Sequence, residues 1–339
     1  LTLVACAGGD GGGLGDGGGE EPRARPASDV VVAVGEDIWP LTGRGPTSKS
    51  LAAGDLSVGV YEPLVALGAD FEVRPGLAER WELLDGGTWR FHLRRGVTWH
   101  DGRPFVADDV VWSWTERQFY PRSVSATLGP GSVRKVDDHT VDFTPLSTNL
   151  RLPEQLVHPE GAILPNGGHS DDDPPVGTGP YRVVEYRPRQ RVVVEAYPGY
   201  WGPPAKVARL TFVFTPDPAE RADALRQGRA DVAANPAPAA LSGLERGGYR
   251  VVRAPRGFTH VLSANSTGPP PHDATADPAV RRAAGLALDR TAYVGEGLAG
   301  EGEPSRWLSP PAVLGAAAGS VAPLAHDPAG ARRLLDEAG

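Results

Sequence analysis

Apolar and polar positions along the chain change period several times, and each change predicts an element. Asp29 to Val34, with valines at 30, 31, 32 and 34, hardly alternates and predicts a strand covered on both faces. Trp39-Pro40-Leu41 and the Gly/Pro/Ser stretch after it predict a loop, and Leu56 to Leu67 a short helix or turn. Trp81–Leu84 and Thr88–Leu93 predict two strands, with the hairpin signal Asp85-Gly86-Gly87 between them. A period of two puts Trp89, Phe91 and Leu93 on one face of the second strand. Arg90, His92 and Arg94 fall on the other, so His92 is expected in solvent. Val133 to Phe143 alternates around Asp137-Asp138 and predicts another hairpin; Gly177-Thr178-Gly179-Pro180 predicts a turn followed by strands at 181–186 and 191–196.

Helical spacing appears in four places. Pro104 to Tyr120 carries the stripe Val106, Val110, Val111 and Trp114, with Asp108 and Asp109 where negative charge suits a helix N-terminus. Three more helices start on Asp-Pro, at Asp217-Pro218, Asp277-Pro278 and Asp327-Pro328. Aspartate accepts backbone N–H bonds as N-cap, and proline is pre-shaped for the first helical position. Glu220 completes a capping box with Asp217. The last helix puts Ala331, Leu334, Leu335 and Ala338 on one face, which requires an earlier element as partner or chain beyond Gly339. No internal repeat is evident.

Composition narrows the function. The 339 residues suffice for two domains, and 44 Gly with 34 Pro imply many loops. A net charge of −8 argues against a nucleic-acid binder, which needs a basic face. No apolar run approaches the roughly 20 residues of a membrane-spanning helix. The single cysteine, Cys6, excludes a disulfide within the chain and a cysteine-based zinc site. Leu3-Val4-Ala5-Cys6-Ala7-Gly8-Gly9 resembles a bacterial lipobox, in which the leader is cut before the cysteine and the sulfur receives lipid. The other reading of Cys6 is a buried thiol in a small strand. Residues 8–19 are nearly all glycine, a composition with nothing to bury, so a tether behind an anchor fits better. No strand leads into that glycine run and no Lys-Ser/Thr ends it, so it is no phosphate loop. Methionine is absent even at position 1, so the chain is expected to lack its natural start.

The most specific stretch runs Leu77-Ala78-Glu79-Arg80-Trp81-Glu82, Trp89 to Val97, His100-Asp101-Gly102-Arg103-Pro104-Phe105 and Ala107-Asp108-Asp109-Val110. Tyr61-Glu62-Pro63-Leu64 precedes it, and Gly177-Thr178-Gly179-Pro180-Tyr181, Tyr200-Trp201-Gly202, Leu225 to Val232, Val280 to Ala283, Ala287 to Arg290 and Asp327 to Gly339 follow in order. This succession resembles the family 5 solute-binding proteins, the oligopeptide, dipeptide and nickel group that serves ABC importers. The resemblance implies an α/β, two-lobed periplasmic-binding-protein fold of type II, with an extra subdomain in the first lobe and a second lobe incomplete at Gly339. Residues 29–58 and 177–264 would form the first lobe, 59–176 the extra subdomain, and 265–339 the start of the second lobe. The second-lobe residues that clasp a ligand, including the acidic group that receives a peptide's amino terminus, would lie past Gly339. It also implies a protein that is not an enzyme, needs no cofactor and sits outside the cytoplasmic membrane. Its partners would be a small solute, permease and ATPase subunits, and the membrane through a lipid on Cys6.

Several residues that suggest chemistry have local structural roles as well. His100, Asp101, Asp108 and Asp109 invite comparison with a metal or acid/base cluster, but a helix start and an Asp-Gly turn account for them. Asp171-Asp172-Asp173 lacks the glycine-centred spacing of a calcium loop. No nucleophile elbow, zinc-protease motif or P-loop is present. Ligand contacts are expected on loops at strand ends: Glu36, Asp37 and Trp39 after the first strand, and Phe258 and His260 before Asn265. Trp39 offers flat apolar area, and Glu36 or Asp37 can take a cationic group. A peptide is the first expectation, and a nickel chelate or an oligosaccharide stays open. So do two other classes, a lipid-anchored secreted hydrolase and a sensor-type binding protein.

Overall fold

The computed structural model describes residues 2–5, 29–36, 41–42, 45–46, 59–68, 72–115, 127–129, 131–157, 161–168, 174–253, 260–261, 263–264, 274–305 and 324–338. The strands are β1 (Thr2–Ala5), β2 (Asp29–Val34), β3 (Leu41–Thr42), β4 (Gly45–Pro46), β5 (Val65–Leu67), β6 (Val73–Pro75), β7 (Ala78–Leu83), β8 (Trp89–Leu93), β9 (Val133–Asp137), β10 (Thr140–Phe143), β11 (Tyr181–Arg187), β12 (Arg191–Ala196), β13 (Arg209–Phe214), β14 (Val232–Ala234) and β15 (Arg250–Arg253). The helices are α1 (Ala107–Thr115), α2 (Leu152–Leu156), α3 (Pro218–Arg226), α4 (Pro238–Arg246), α5 (Pro278–Ala287), α6 (Arg290–Ala292) and α7 (Pro328–Ala338). By packing, the chain divides into Gly11–Ala233 and a second unit of Leu1–Asp10 with Ala234–Gly339.

Two larger sheets build the first unit. In one, strands follow the order β11-β12-β13-β2-β14. β2 is parallel to both neighbours, with Asp29 opposite Arg209 and Val32 opposite Val232. Asp231 extends this ladder: its carboxylate accepts the Val31 N–H at 2.7 Å and its own N–H reaches the Val31 carbonyl at 2.8 Å. Only Ala33 and Val34 of β2 are buried, where Ala224 and Ala230 pack; Val30 to Val32 are half-buried, so the expected two-sided cover is limited to the strand's end. The predicted loop after Trp39 contains a small antiparallel ladder, β3 on β4. The predicted helix or turn before Leu67 resolves into one helical turn at 59–60 and strand β5, paired with β6.

The other sheet has the order β7-β8-β10-β9. Both predicted hairpins are present and joined edge to edge through β8 and β10. Phe91 and Leu93 face inward as the alternation requires and are buried with Leu77, Trp99, Phe105, Val110, Trp114 and Phe143. Full burial of each such side chain contributes about 1.5–3 kcal/mol, so this layer under α1 is the main core of residues 64–163. On the outward face Arg90 grips Asp142, directly opposite in register, through two bonds of 2.8 Å. His92 is not free in solvent, because its Nε2 meets Glu82 Oε1 at 3.0 Å. α1 begins at Ala107, three residues after Pro104, because Pro104 still bridges Thr98 as extended chain.

All three Asp-Pro starts are helix N-termini. Asp217 accepts the Ala219 N–H at 2.7 Å, Asp277 the Ala279 N–H at 2.7 Å and Asp327 the Gly330 N–H at 2.8 Å. In the second unit, β1 pairs antiparallel with β15, and α7 packs on α5. The Asp327 N–H bonds the Leu286 carbonyl at 2.9 Å. An earlier helix thus supplies the partner that the last apolar face needed. The cover is partial: Ala331 is buried while Leu335 stays 45% exposed.

Candidate functional site

Motifs far apart in sequence meet in space. Glu62 accepts a bond from Tyr200 Oη at 3.0 Å and another from Trp201 Nε1 at 3.0 Å, across nearly 140 residues of chain. The Arg94 guanidinium lies 4.0 Å from the centre of the Trp201 ring, a cation–π contact, and its Nε bonds the Gly76 carbonyl at 3.3 Å. Burial raises the Glu62 carboxyl above the usual range, opposed by the Trp201 and Tyr200 bonds and by Arg94.

The second meeting point joins His100 to the Gly-Thr-Gly-Pro turn. The His100 backbone N–H bonds the Gly177 carbonyl at 2.9 Å, and the Gly177 N–H donates to His100 Nδ1 at 3.1 Å. The opposite ring nitrogen, Nε2, lies 3.0 Å from the Gly179 carbonyl, which only accepts. The ring is therefore the neutral tautomer protonated on Nε2. Burial lowers its pKa, which agrees with that state. Both glycines are required by space: a Cβ on Gly177 would lie 1.8 Å from the Val60 carbonyl oxygen, and one on Gly179 would lie 2.5 Å from that of Gly59.

The remaining acids of the signature have separate partners. Asp109, 4% exposed, accepts from Val106 N at 2.9 Å and Trp99 Nε1 at 3.2 Å on one oxygen and from Asn166 N at 2.8 Å on the other. Burial raises its pKa against those bonds. Asp108 points outward to Lys135 at 2.7 Å, and Asp101 holds Arg103 at 2.8 Å. Asp109, Asp108 and Asp101, like His100, thus each have their own local partners. Among the described residues, no three His, Cys, Asp or Glu side chains converge as a metal site, and no helix is long and apolar enough to cross a membrane.

One of the expected contacts, Glu36, lies at the exit of β2. In open α/β sheets, ligands bind beyond the carboxyl ends of parallel strands, where connections diverge to either side. β2 is parallel to both neighbours, β13 and β14, and α3 carries the chain across from one to the other. Beyond Val34 come Gly35 and the exposed Glu36. Thr215 N bonds the Val34 carbonyl at 2.8 Å. Arg221, on α3 and 6% exposed, donates from Nη1 to the Thr215 carbonyl at 2.6 Å and the Pro216 carbonyl at 2.9 Å. Its guanidinium lies against Gly35, where a Cβ would come within 2.5 Å of Nη1. Burial lowers the Arg221 pKa, while Asp217 and Glu36 act to raise it.

Of the expected contacts, Glu36 thus stands at a sheet's carboxyl edge. Asp37, Trp39 and Phe258 lie outside the described residues, as do Cys6 and Asp171 to Asp173. His260, in the second unit, is exposed, and its Nδ1 takes the Tyr293 hydroxyl at 2.6 Å with ring centres 5.8 Å apart. Tyr293 opens a π-helical turn, Tyr293–Gly297. Arg221 was not anticipated, and neither was Tyr293. The signal for Arg221 was faint: a cation four residues after the capping Asp217, set among Ala222, Ala224 and Leu225, which are buried.

Comparison with known proteins agrees with these motifs. The family profile described as bacterial extracellular solute-binding proteins, family 5 middle, matches residues 72–339. The dipeptide-binding protein of Escherichia coli (strain K12) is 31% identical over 318 residues, covering 84% of this chain and 58% of that protein. The glutathione-binding protein GsiB of Salmonella typhimurium is 32% identical over 336 residues, covering 93% and 62%. The crystal structure of NikA from Brucella suis in complex with Fe(III)-EDTA superposes with a TM-score of 0.73 at 27% identity, covering 92% of this chain and 64% of that one. The chain therefore spans about 60% of the length of the proteins it matches. Its α/β architecture is that of the periplasmic binding proteins, whose family is one of solute binders rather than enzymes. With its motifs in order and the profile matched over most of its length, this chain belongs to the family 5 bacterial extracellular solute-binding proteins.

Proposed function

We propose that the whole protein is the substrate-binding lipoprotein of an ABC importer. It captures a small solute, in the first instance an oligo- or dipeptide, between two lobes and delivers it to a membrane permease driven by ATPase subunits. The observation that carries this reading is the family match over residues 72–339. A peptide is favoured because relatives above 30% identity are named for dipeptide and glutathione, the latter itself a peptide. A metal chelate is the second ligand class, favoured by the likeness to NikA with Fe(III)-EDTA. Extended peptide backbone would supply affinity, and roomy pockets would tolerate varied side chains. Capture needs no covalent step: the solute touches both lobes only in the closed state and so shifts the population towards it.

In this reading residues 29–58 and 177–264 belong to the first lobe, 59–176 to an extra subdomain and 265–339 to the second lobe. Support for the subdomain comes from its own four-stranded sheet and core. Residues 234–264 join the first lobe on motif order, although by packing they group with the later chain. Cys6 is the lipid anchor on the lipobox pattern alone. Cleavage before it would remove β1 and its pairing with β15. The ligand class is tested by thermal-shift screening of the protein from its own cells against di- and tripeptides, histidine chelates of nickel and oligosaccharides. A shift with peptides is expected, and a shift confined to either other class would sink the peptide reading. Mass spectrometry of the N-terminal peptide tests the anchor: lipid on Cys6 is expected, and an unmodified Cys6 still joined to Ala5 contradicts it.

A further inference from the structure

We propose that Arg221 is a positioning residue for solute capture, fixing the exit of β2 so that Glu36 meets a cationic group of the solute. The inference rests on the solute-binding reading and adds to it the residue that sets the geometry of one contact. Arg221 sits in the first turns of α3, and long helical side chains run back toward the helix N-terminus. That direction carries the guanidinium to the carboxyl edge of the sheet. There one nitrogen, Nη1, ties down the two consecutive carbonyls, Thr215 and Pro216, that turn β13 into α3. The flat of the same group lies against Gly35, so close that a Cβ would lie 2.5, 2.8 and 3.0 Å from Nη1, Cζ and Nη2 and would push the guanidinium off its seat. The Val34 carbonyl is held from the other side by Thr215 N at 2.8 Å. The last residue of β2 is thus gripped by backbone and Gly35 by contact, and the Arg221 charge acts on Glu36 just beyond them.

Packing alone does not call for this arrangement. Taking a guanidinium out of water is unfavourable before its bonds are counted, and an apolar side chain of similar volume often does as well for stability. The planar cation does what an apolar chain cannot: it holds two carbonyls at set angles and places a positive charge beside the exit that leads to Glu36. That rim is the carboxyl edge of parallel strands, where open α/β sheets commonly receive ligands. An exposed carboxylate on a rigid exit suits an amine or guanidinium of the solute, because pre-organisation removes the cost of ordering the loop on binding.

The test uses protein purified from its own cells and freed of solute, in wild-type form and as Arg221→Met, Arg221→Lys, Glu36→Gln and the Met/Gln double variant. Two readings are taken. The first is amide hydrogen exchange at residues 34–36, with the β11–β12 hairpin as internal reference. Arg221→Met is expected to speed exchange there at least tenfold and leave the hairpin unchanged, with Arg221→Lys between. The second is affinity for trialanine by calorimetry. Arg221→Met and Glu36→Gln are each expected to weaken it about tenfold, and the double variant no more than either alone, because one acts through the other. Unchanged exchange at 34–36 overturns the proposal, as do losses of affinity that multiply. Affinity kept within twofold in Arg221→Met while exchange rises overturns it too, because the grip would then be structural only. If the wild type does not take trialanine, the peptide reading fails, and the exchange measurement still decides whether Arg221 positions the exit.

Discussion

Replacing Asp109 separates a structural carboxylate from a catalytic one most sharply. Three donors converge on it: Val106 N and Trp99 Nε1 on Oδ2, Asn166 N on Oδ1. Asp109→Ala leaves all three without their acceptor beside a Trp99 that is 1% exposed. An orphaned buried donor costs about 1–3 kcal/mol. Two of the three are only partly buried and regain some water, and the variant is relieved of a carboxylate that burial disfavours. The expected net loss is about 3–4 kcal/mol. Asp109→Asn keeps a carbonyl oxygen for the pair on Oδ2 and sets an NH2 against a single donor, Asn166 N, so about 1–2 kcal/mol is expected. Urea unfolding followed by tryptophan fluorescence gives both numbers from the midpoint at constant slope. Trp99→Phe combined with Asp109→Ala should show a coupling of about 0.5–1.5 kcal/mol. A loss below 1 kcal/mol in Asp109→Ala, or an Asn variant worse than the Ala variant, would refute the reasoning.

Three other outcomes follow from the same geometry. Glu62→Ala should destabilise by about 1.5–3 kcal/mol, and a double-mutant cycle with Trp201→Phe should recover part of it; additive losses would mean that the 3.0 Å bond carries nothing. Gly177→Ala should cost more than 2 kcal/mol, against about 1 for Gly86→Ala at φ +82°, because the first must move the Val60 backbone and the second meets no atom within 4 Å; equal denaturation midpoints contradict this. His100 has a folded pKa below its unfolded value of 6.5, so its contribution is complete above that pH and is lost as pH falls through the lowered value. The stability gap between wild type and His100→Asn, measured in urea, should therefore narrow from pH 7.5 to pH 5, and a constant gap would show that the ring does not stay neutral.

What could be seen in advance depended on range along the chain. The two hairpins and the three Asp-Pro helices were legible because alternation, turn residues and caps act within a few residues of each other. Strands β13 and β14 were missed. β14 has three residues, too few to show a period, and β13 is an apolar run between proline-rich loops, where strand and buried helix read alike. The pattern starts helix α1 three residues early, because Pro104 is as good at a helix start as in the bridge it makes to Thr98. The motif residues were recognised as motifs, but their work was not. Glu62 with Tyr200 and Trp201, and His100 with Gly177, bond across 77 to 139 residues, and no local pattern announces such partners. Arg221 was hidden for the same reason, since a charged residue on a helix is ordinarily at the surface.

Native mass spectrometry of the protein purified from its own cells tests most directly the proposal that the whole protein is a binder and no catalyst. A retained mass corresponding to a peptide, lost on mild unfolding and recovered intact, is the predicted result. Released cleavage products with no solute held by the folded protein would contradict it.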